Sequence, residues 1–447
     1  MIFLWYNYVG CDYMERENNI DQILNELIKS GSDISYINEL RNQSLDIIKK
    51  DRGLDEVLSN IAKEITEATL QFLNGKNSFD TNYITGISSC IYLPDFNNNG
   101  EYKLKLIGGK TGRGKSLKVD ENTLFDVASI TKLYTLILLF NLEKNGFIDL
   151  NAKIKDINPD FQNLDDFTLN DLVRLHGEFR TNGNIRDAKT KEEAYQILKT
   201  LYLTSDSRTE NKYTDFGAIV IGDTIEKVMS KHLGKDITFE DVMYEYFLSP
   251  LNLFHTQFNP TKNNVSGNGN NKKLVHDPKA RILGGALGHA GLFISSDDLA
   301  KLSKSLFRIN YYDRGLIRKL QLQRLGEITF DSSNRGNLGI YVKHPLGYDK
   351  TFTPPEYSIG SFSHQGWTGS VANFDPNNLI HQNILVNSIY EDEDKEKVKN
   401  DKPKGYMDAF DEYYKQIVRN TMLMYVAKKY YNKYCNVREN IEVTKYL

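Results

Sequence analysis

Ser129 and Lys132 stand three residues apart in Phe125-Asp126-Val127-Ala128-Ser129-Ile130-Thr131-Lys132-Leu133, at the head of an apolar run formed by Leu133, Leu136, Ile137, Leu138, Leu139 and Phe140. The run has helical character, and residues i and i+3 of a helix share a face. A serine hydroxyl held beside a lysine amine is a nucleophile beside a proton acceptor. At a helix N-terminus the dipole favours developing negative charge, and the serine's own N–H can point at an oxyanion. Lys132 can take the hydroxyl proton only in its unprotonated form, which calls for a dry, positively biased site. A Ser-x-x-Lys pair also arises by chance, with the serine then a plain helix cap, so other groups have to join it.

Two further stretches offer such groups. Asn211-Lys212-Tyr213-Thr214-Asp215-Phe216-Gly217 opens an apolar segment rich in small residues, which runs to Val228. The Tyr213 phenol can carry a proton between serine, lysine and leaving group; in the structural alternative Tyr213 packs and Asp215 caps the helix. Phe362-Ser363-His364-Gln365-Gly366-Trp367-Thr368-Gly369 leads into a strand from Ser370 to Phe374. Its glycines permit close approach of a substrate to an edge strand. An N–H near Trp367 is then a second oxyanion donor, with His364 a polar or cationic group and Gln365 and Gly366 beside the substrate. The alternative is a hairpin with a surface histidine.

The elements that must position these residues can be read from periodicity. Ile20, Ile23, Leu24 and Leu27, then Ile34 to Ile48, then Leu54, Val57, Leu58, Ile61, Ile65 and Leu70 form three helical stripes. The third is expected to cover a sheet; the first two make a helical extension over residues 1–50. Strands are expected at 84–93 and 102–108, joined by a turn at Asn97–Gly100, and at 337–343, 368–375 and 383–390. Helices are expected at 130–145, 216–228, 239–246, 296–307 and 407–434, with Thr168 and Thr238 as caps. Strands at both ends with helices between them predict an α+β fold, an antiparallel sheet flanked by helices. Residues 51–150 and 285–447 form the sheet domain and 151–284 an inserted, mostly helical domain. The cleft between them has Ser129 at its junction.

Composition narrows the function. The 447 residues are 40% hydrophobic, enough for one large core or two. A net charge of −3 from 56 basic and 59 acidic residues makes no case for a nucleic-acid partner. Cys11, Cys90 and Cys435 lie far apart, without metal spacing or a disulfide framework, and the histidines are scattered, so no metal or cofactor is expected. Met1 to Asp12 starts apolar but has no basic region and is broken by Asn7 and Gly10. We read it as neither signal peptide nor membrane span, do not take Cys11 as a lipid site, and expect a cytoplasmic protein without a membrane partner. Gly109 to Ser116 has the spacing of a phosphate-binding loop, but Leu117 to Thr123 does not read as the helix such a loop needs; it is taken as a basic loop.

In order, the three motifs resemble the penicillin-recognising serine hydrolases: class C β-lactamases, D,D-peptidases and related esterases. That family's pattern is Ser-x-x-Lys, then Tyr-x-Asn, then Lys-Thr-Gly or His-x-Gly. Ser129, Lys132, Tyr213, His364 and Gly366 match it, supported by Thr123 to Ala128 and Phe216 to Glu226. The resemblance implies a β-lactamase-like fold and an acyl-enzyme on Ser129. Lys132 and Tyr213 would move protons, and the N–H groups of Ser129 and Trp367 would hold the oxyanion. Asp215 stands where dedicated β-lactamases have Asn, and His364 where they have Lys. A carboxylate cannot donate the amide hydrogen bond, and it adds negative charge near a substrate carboxylate, which argues against efficient β-lactamase activity.

Val275-His276-Asp277-Pro278-Lys279-Ala280 and Gly284 to Phe293 resemble the subgroup that includes muropeptide-recycling amidases, which cleave between N-acetylmuramic acid and L-alanine. That resemblance implies that His276, Asp277 and His289 line the cleft; structurally, His289 would pin a loop and Asp277 cap a turn. The expectation is therefore a serine hydrolase acting on a small ester or amide, a muropeptide or a β-lactam among them. The alternatives are the cell-wall-recycling amidase, or a D,D-peptidase with weak β-lactamase activity. A regulatory protein on an inactive scaffold would take no serine-directed phosphonate, and a nucleotide-binding protein would bind ATP without forming a serine adduct. Nothing in the sequence sets an oligomeric state.

Overall fold

The computed structural model describes residues 13–50, 52–73, 84–95, 100–112, 116–205, 212–261, 264–266, 274–307, 337–343, 353–387, 406–437 and 440–447. Cys11 with the residues before it, Arg113 to Lys115 of the basic loop, most of the 261–273 loop and the charged run at 391–403 lie outside them.

Gly86–Asp95 and Gly100–Gly109 pair antiparallel with Gly86 opposite Gly109. Their side chains alternate between two faces, as a pleated strand requires. Ile87, Ile91 and Leu93 face one apolar core, together with Leu58, Ile61 and Ile65 of the helix Leu54–Leu73 and Ile417 and Met424 of the long helix Tyr406–Tyr434. Burying each such aliphatic is worth roughly 2 kcal/mol. Cys90 and Tyr92 point the other way, against Ala300 of the helix Ser296–Phe307, and Ser88 bonds Ser296 at 2.6 Å. The sheet is thus flanked by helices on both faces, the α+β arrangement expected.

Among the described residues the sheet has seven strands. From one edge they are Asn440–Tyr446, Gly100–Gly109, Gly86–Asp95, Ile380–Val386, Val371–Asp375, Phe362–Gln365 and Tyr341–Val342. All neighbours are antiparallel except the C-terminal strand, which runs parallel to Gly100–Gly109, so the sheet is mixed. Two expectations are corrected. Most of 337–343 is not strand: Asn337–Gly339 is a 3-10 turn and only Tyr341–Val342 pairs. Phe362–Gln365 is not the outermost strand, since Tyr341–Val342 covers Phe362 and Ser363; that pairing stops short of His364 and Gln365.

The helical extension shares the core beneath the sheet, through Ile20, Ile23, Leu40 and Leu45. The turn between its helices, Tyr13–Lys29 and Ile34–Lys49, is tied to the segment that leads into Phe362–Gln365. Asp33 donates its N–H to the Pro355 carbonyl at 3.1 Å, and Ile359 donates to the Ser30 carbonyl at 2.9 Å.

The joint that matters most for the site lies between the helices Thr131–Lys144 and Asp215–Leu233 and the glycine-rich turn after Leu283. Small residues let the turn touch the second helix: a Cβ on Gly288 would stand 2.0 Å from the Ala218 carbonyl oxygen. The Gly288 carbonyl accepts the Thr135 hydroxyl at 2.8 Å, locking the turn to the first helix as well. Gly288→Ala is therefore expected to force the three apart and to cost about 3 kcal/mol of stability, read as a lower denaturant midpoint at unchanged slope.

Candidate active site

Ser129 lies in a 3-10 turn, Ala128–Ile130, that runs straight into the helix Thr131–Lys144. The strand Leu124–Asp126 delivers the chain to this turn. Ala128 takes a positive φ of 44°, a conformation that costs a non-glycine residue of order 1–3 kcal/mol. Asp126 holds it there: one carboxylate oxygen accepts the Ala128 N–H at 2.9 Å and the other the His276 N–H at 2.6 Å. Asp126 is fully buried, and burial pushes its carboxyl up to about 6 against these two bonds. From the other side, Thr368 donates its hydroxyl to the Asp126 carbonyl at 2.7 Å. A Cβ on Gly366 would stand 2.3 Å from the Val127 carbonyl oxygen. The close approach that the glycine permits is thus to the protein's own turn beneath Ser129.

Lys132 is 0% exposed, and its Nζ donates to Ser129 Oγ at 2.9 Å, to Asp215 Oδ1 at 2.9 Å and to the His289 carbonyl at 3.4 Å. It also sits 4.9 Å from the centre of the Tyr213 ring and shares a hydrogen bond with that phenol. Lys132 itself is shut off from solvent, but its surroundings are not positively biased. Burial alone pulls the Lys132 ammonium down; the charges of Tyr213 and Asp215 and the hydrogen bonds to them outweigh it and hold the group above its ordinary range.

Asp215 begins the helix Asp215–Leu233, which Thr214 caps by accepting the Phe216 N–H. Its second oxygen accepts from Lys279 Nζ at 2.5 Å. Burial works to raise the Asp215 carboxyl, but Lys132, His289 and Lys279 hold it far below the usual carboxylate range. His289 is 1% exposed, with Nε2 3.0 Å from Asp277 Oδ1. Asp277 also caps the short helix Pro278–Ile282 through the Ala280 N–H. Asp215, Asp277 and His289 bring their ligand atoms within 4.8 Å of one another, a grouping that a metal ion could use. Both Asp215 oxygens are already held by ammonium groups, so an added cation would meet two like charges; the cluster balances its charge within the protein.

The other expected residues fall around this centre. Tyr213 is partly exposed, its ring on the backbone of Gly339. His364 is buried, its Nδ1 3.0 Å from the Gln365 carbonyl, and is not the surface histidine of the bland alternative. Gln365 is half-buried opposite Val371, and the Trp367 indole stands in the turn beyond it, 72% exposed. His276 meets the site through its backbone, by the bond to Asp126. Sequence reasoning missed two residues. Asp126 was visible only as part of the stretch before the serine. Lys279, 64 residues from Asp215 along the chain, was visible only within the stretch from Val275 to Ala280.

Comparison with known proteins agrees with this fold. A family profile described as Beta-lactamase matches residues 96–402. A curated protein of Salmonella gallinarum, named "Putative D-alanyl-D-alanine carboxypeptidase", is 25% identical over 327 residues, covering 63% of this chain and 73% of that one. Among solved structures, a beta-lactamase/D-alanine carboxypeptidase from Pseudomonas syringae superposes with a TM-score of 0.57 at 18% identity, over 82% of this chain and 98% of that one. FmtA from Staphylococcus aureus gives 0.53 at 20% identity, over 79% and 88%. At these identities the structural likeness speaks for the fold. The family match corrects the expected cytoplasmic location, because β-lactamases and D,D-peptidases of this family act in the periplasm or at the cell wall. The absence of a readable export signal in Met1 to Asp12 was therefore no guide to location. Among the described residues no helix is long and apolar enough to cross a membrane.

Proposed function

Because this chain belongs to the Beta-lactamase family of serine hydrolases, we propose that it forms an acyl-enzyme on Ser129 and acts as a D,D-peptidase on peptides ending in D-alanyl-D-alanine. The observation that carries the chemistry is Lys132 Nζ, fully buried and 2.9 Å from Ser129 Oγ. In molecules where Lys132 is the neutral amine, Ser129 Oγ attacks the penultimate carbonyl and its proton passes to Lys132. The backbone N–H groups of Ser129 and Trp367 hold the oxyanion. Tyr213, beside Lys132, returns a proton to the departing D-alanine nitrogen. Water then attacks the ester, and the peptide leaves one residue shorter. His364, Gln365 and Gly366 flank the acyl group, with His276 and His289 deeper in the cleft. The same reading takes 51–150 with 285–447 as the sheet domain and 151–284 as the inserted domain.

The substrate class rests on the carboxypeptidase names of the relatives. The amidase alternative now rests on the stretch from Val275 to Phe293 alone, since the intracellular recycling that favoured it is gone. Both are tested together. The protein is incubated with diacetyl-L-lysyl-D-alanyl-D-alanine and, separately, with N-acetylmuramyl-L-alanyl-D-isoglutamine, and products are followed by mass spectrometry. Release of D-alanine from the first, absent in Ser129→Ala, is the expected result. Cleavage of the second alone would replace the peptidase with the amidase, and cleavage of short-chain esters alone would leave a general acyl hydrolase.

A further inference from the structure

Lys279 has had no part in the reaction so far. It stands on the helix Pro278–Ile282, its side chain 15% exposed, and its Nζ lies 5.6 Å from the centre of the Phe216 ring. It is 2.5 Å from Asp215 Oδ2, while Lys132 is 2.9 Å from Asp215 Oδ1. One carboxylate is therefore shared by two ammonium groups, and only one of these reaches the nucleophile. An isolated carboxylate at that distance favours the charged form of Lys132 and opposes its use as a proton acceptor. A second cation on the same carboxylate opposes that effect.

We propose that Lys279 is a positioning residue for acyl transfer, acting through Asp215: it offsets the carboxylate's charge and fixes its orientation, so that Lys132 can give up its own proton and take that of Ser129. This rests on the reading of Ser129 as nucleophile and Lys132 as its proton acceptor. The groups that bear on Lys132 come from every element around it. Tyr213 and Asp215 come from the head of the Asp215–Leu233 helix, Asp277 and Lys279 from the short helix, and His289 from the glycine-rich turn. Asp126 lies under the serine turn, and His364 is on the strand packed against it. Of these, Lys279 bonds directly to the carboxylate that holds Lys132.

The test uses an alkyl p-nitrophenyl phosphonate, which needs no knowledge of the natural substrate. The Ser129 Oγ–P bond forms, the P–O bond to the leaving group breaks, p-nitrophenolate departs and the hydroxyl proton goes to Lys132. The rate of phosphonylation is measured against pH for the full chain. In the unaltered protein it rises with pH as Lys132 loses its proton. Lys279→Met leaves Asp215 to act on Lys132 alone. The rising limb should then move to higher pH by about one unit, roughly tenfold slower near neutrality and recovering in alkali. Lys279→Arg should keep the original limb. Asp215→Asn, alone or with Lys279→Met, should move the limb to lower pH.

A slowing of Lys279→Met by the same factor at every pH, or a limb that Asp215→Asn does not move, would overturn the proposal. Where Lys279→Met does not fold, Lys279→Gln, which removes the charge but keeps a polar side chain beside Asp215, carries the same expectation and the same overturning result. If Ser129→Ala takes the label as fast as the unaltered protein, the reading of the nucleophile fails instead, and the two failures are distinct.

Discussion

Ser129→Ala is expected to take no phosphonate and to lose at least about 10⁴-fold in turnover of any acyl substrate, because the bond-forming atom is gone and a lysine and tyrosine alone supply no covalent route. The same change should leave the fold in place. Ser129 is half-buried, and its Oγ accepts from Lys132, which keeps Asp215 and the His289 carbonyl as acceptors. The loss of one hydrogen bond then costs about 1 kcal/mol. Intact-mass spectrometry before and after the phosphonate, beside a thermal melt, separates the two effects. An adduct that persists in Ser129→Ala would move the nucleophile elsewhere. An unaltered protein that takes no adduct would favour a regulatory protein on an inactive scaffold.

What the sequence could and could not convey follows from how local each feature is. Ser129 and Lys132 meet across one helical turn, so their spacing alone predicts the 2.9 Å contact. The hairpin of Gly86–Asp95 and Gly100–Gly109 is equally local, and its period-2 pattern is plain. The C-terminal strand Asn440–Tyr446 is different. It lies at the sheet edge, with Glu442 paired to Lys105, Asn440 and Tyr446 exposed, and only Ile441 and Val443 packed on the core, an apolar alternation two residues long. The Asp215–Lys279 pair is the clearest case. Asp215 reads alone as a helix cap or a carboxylate beside the substrate and Lys279 as one charge in the stretch from Val275 to Ala280; their 2.5 Å contact is made by tertiary packing, in which Gly288 sits against Ala218. That is also why a positively biased site was expected around Lys132: the sequence shows the charge of Asp215 without showing where it points. His364 is a different case. Beside two glycines it reads as a polar group of the site, with a surface hairpin as the alternative, and the structure buries it in the sheet.

Lys132→Met tests whether the buried ammonium serves the fold or the reaction. Methionine is an unbranched side chain of similar length and can occupy the fully buried channel with little repacking. What it removes is a charge. Breaking a buried ion pair typically costs about 3–5 kcal/mol, because the remaining partner is left uncompensated. Here Lys279 still holds Asp215 Oδ2, and the Asp215 side chain is 25% exposed. The expected loss is therefore smaller, about 2 kcal/mol. Asp215→Asn in the same background removes the charge that Lys132 no longer balances but also takes the partner of Lys279, and should return only part of that stability in a urea melt. Phosphonylation should behave otherwise. It should fall by about 10³-fold in Lys132→Met, and the second substitution should not bring it back, since no proton acceptor is restored. A Lys132→Met protein that labels within tenfold of the unaltered chain would pass the proton to Tyr213, the other group within reach of Lys132's position. Stability recovered without rate would instead show that the ion pair is dispensable to the fold, and that Lys132 is kept buried for the proton it takes from Ser129.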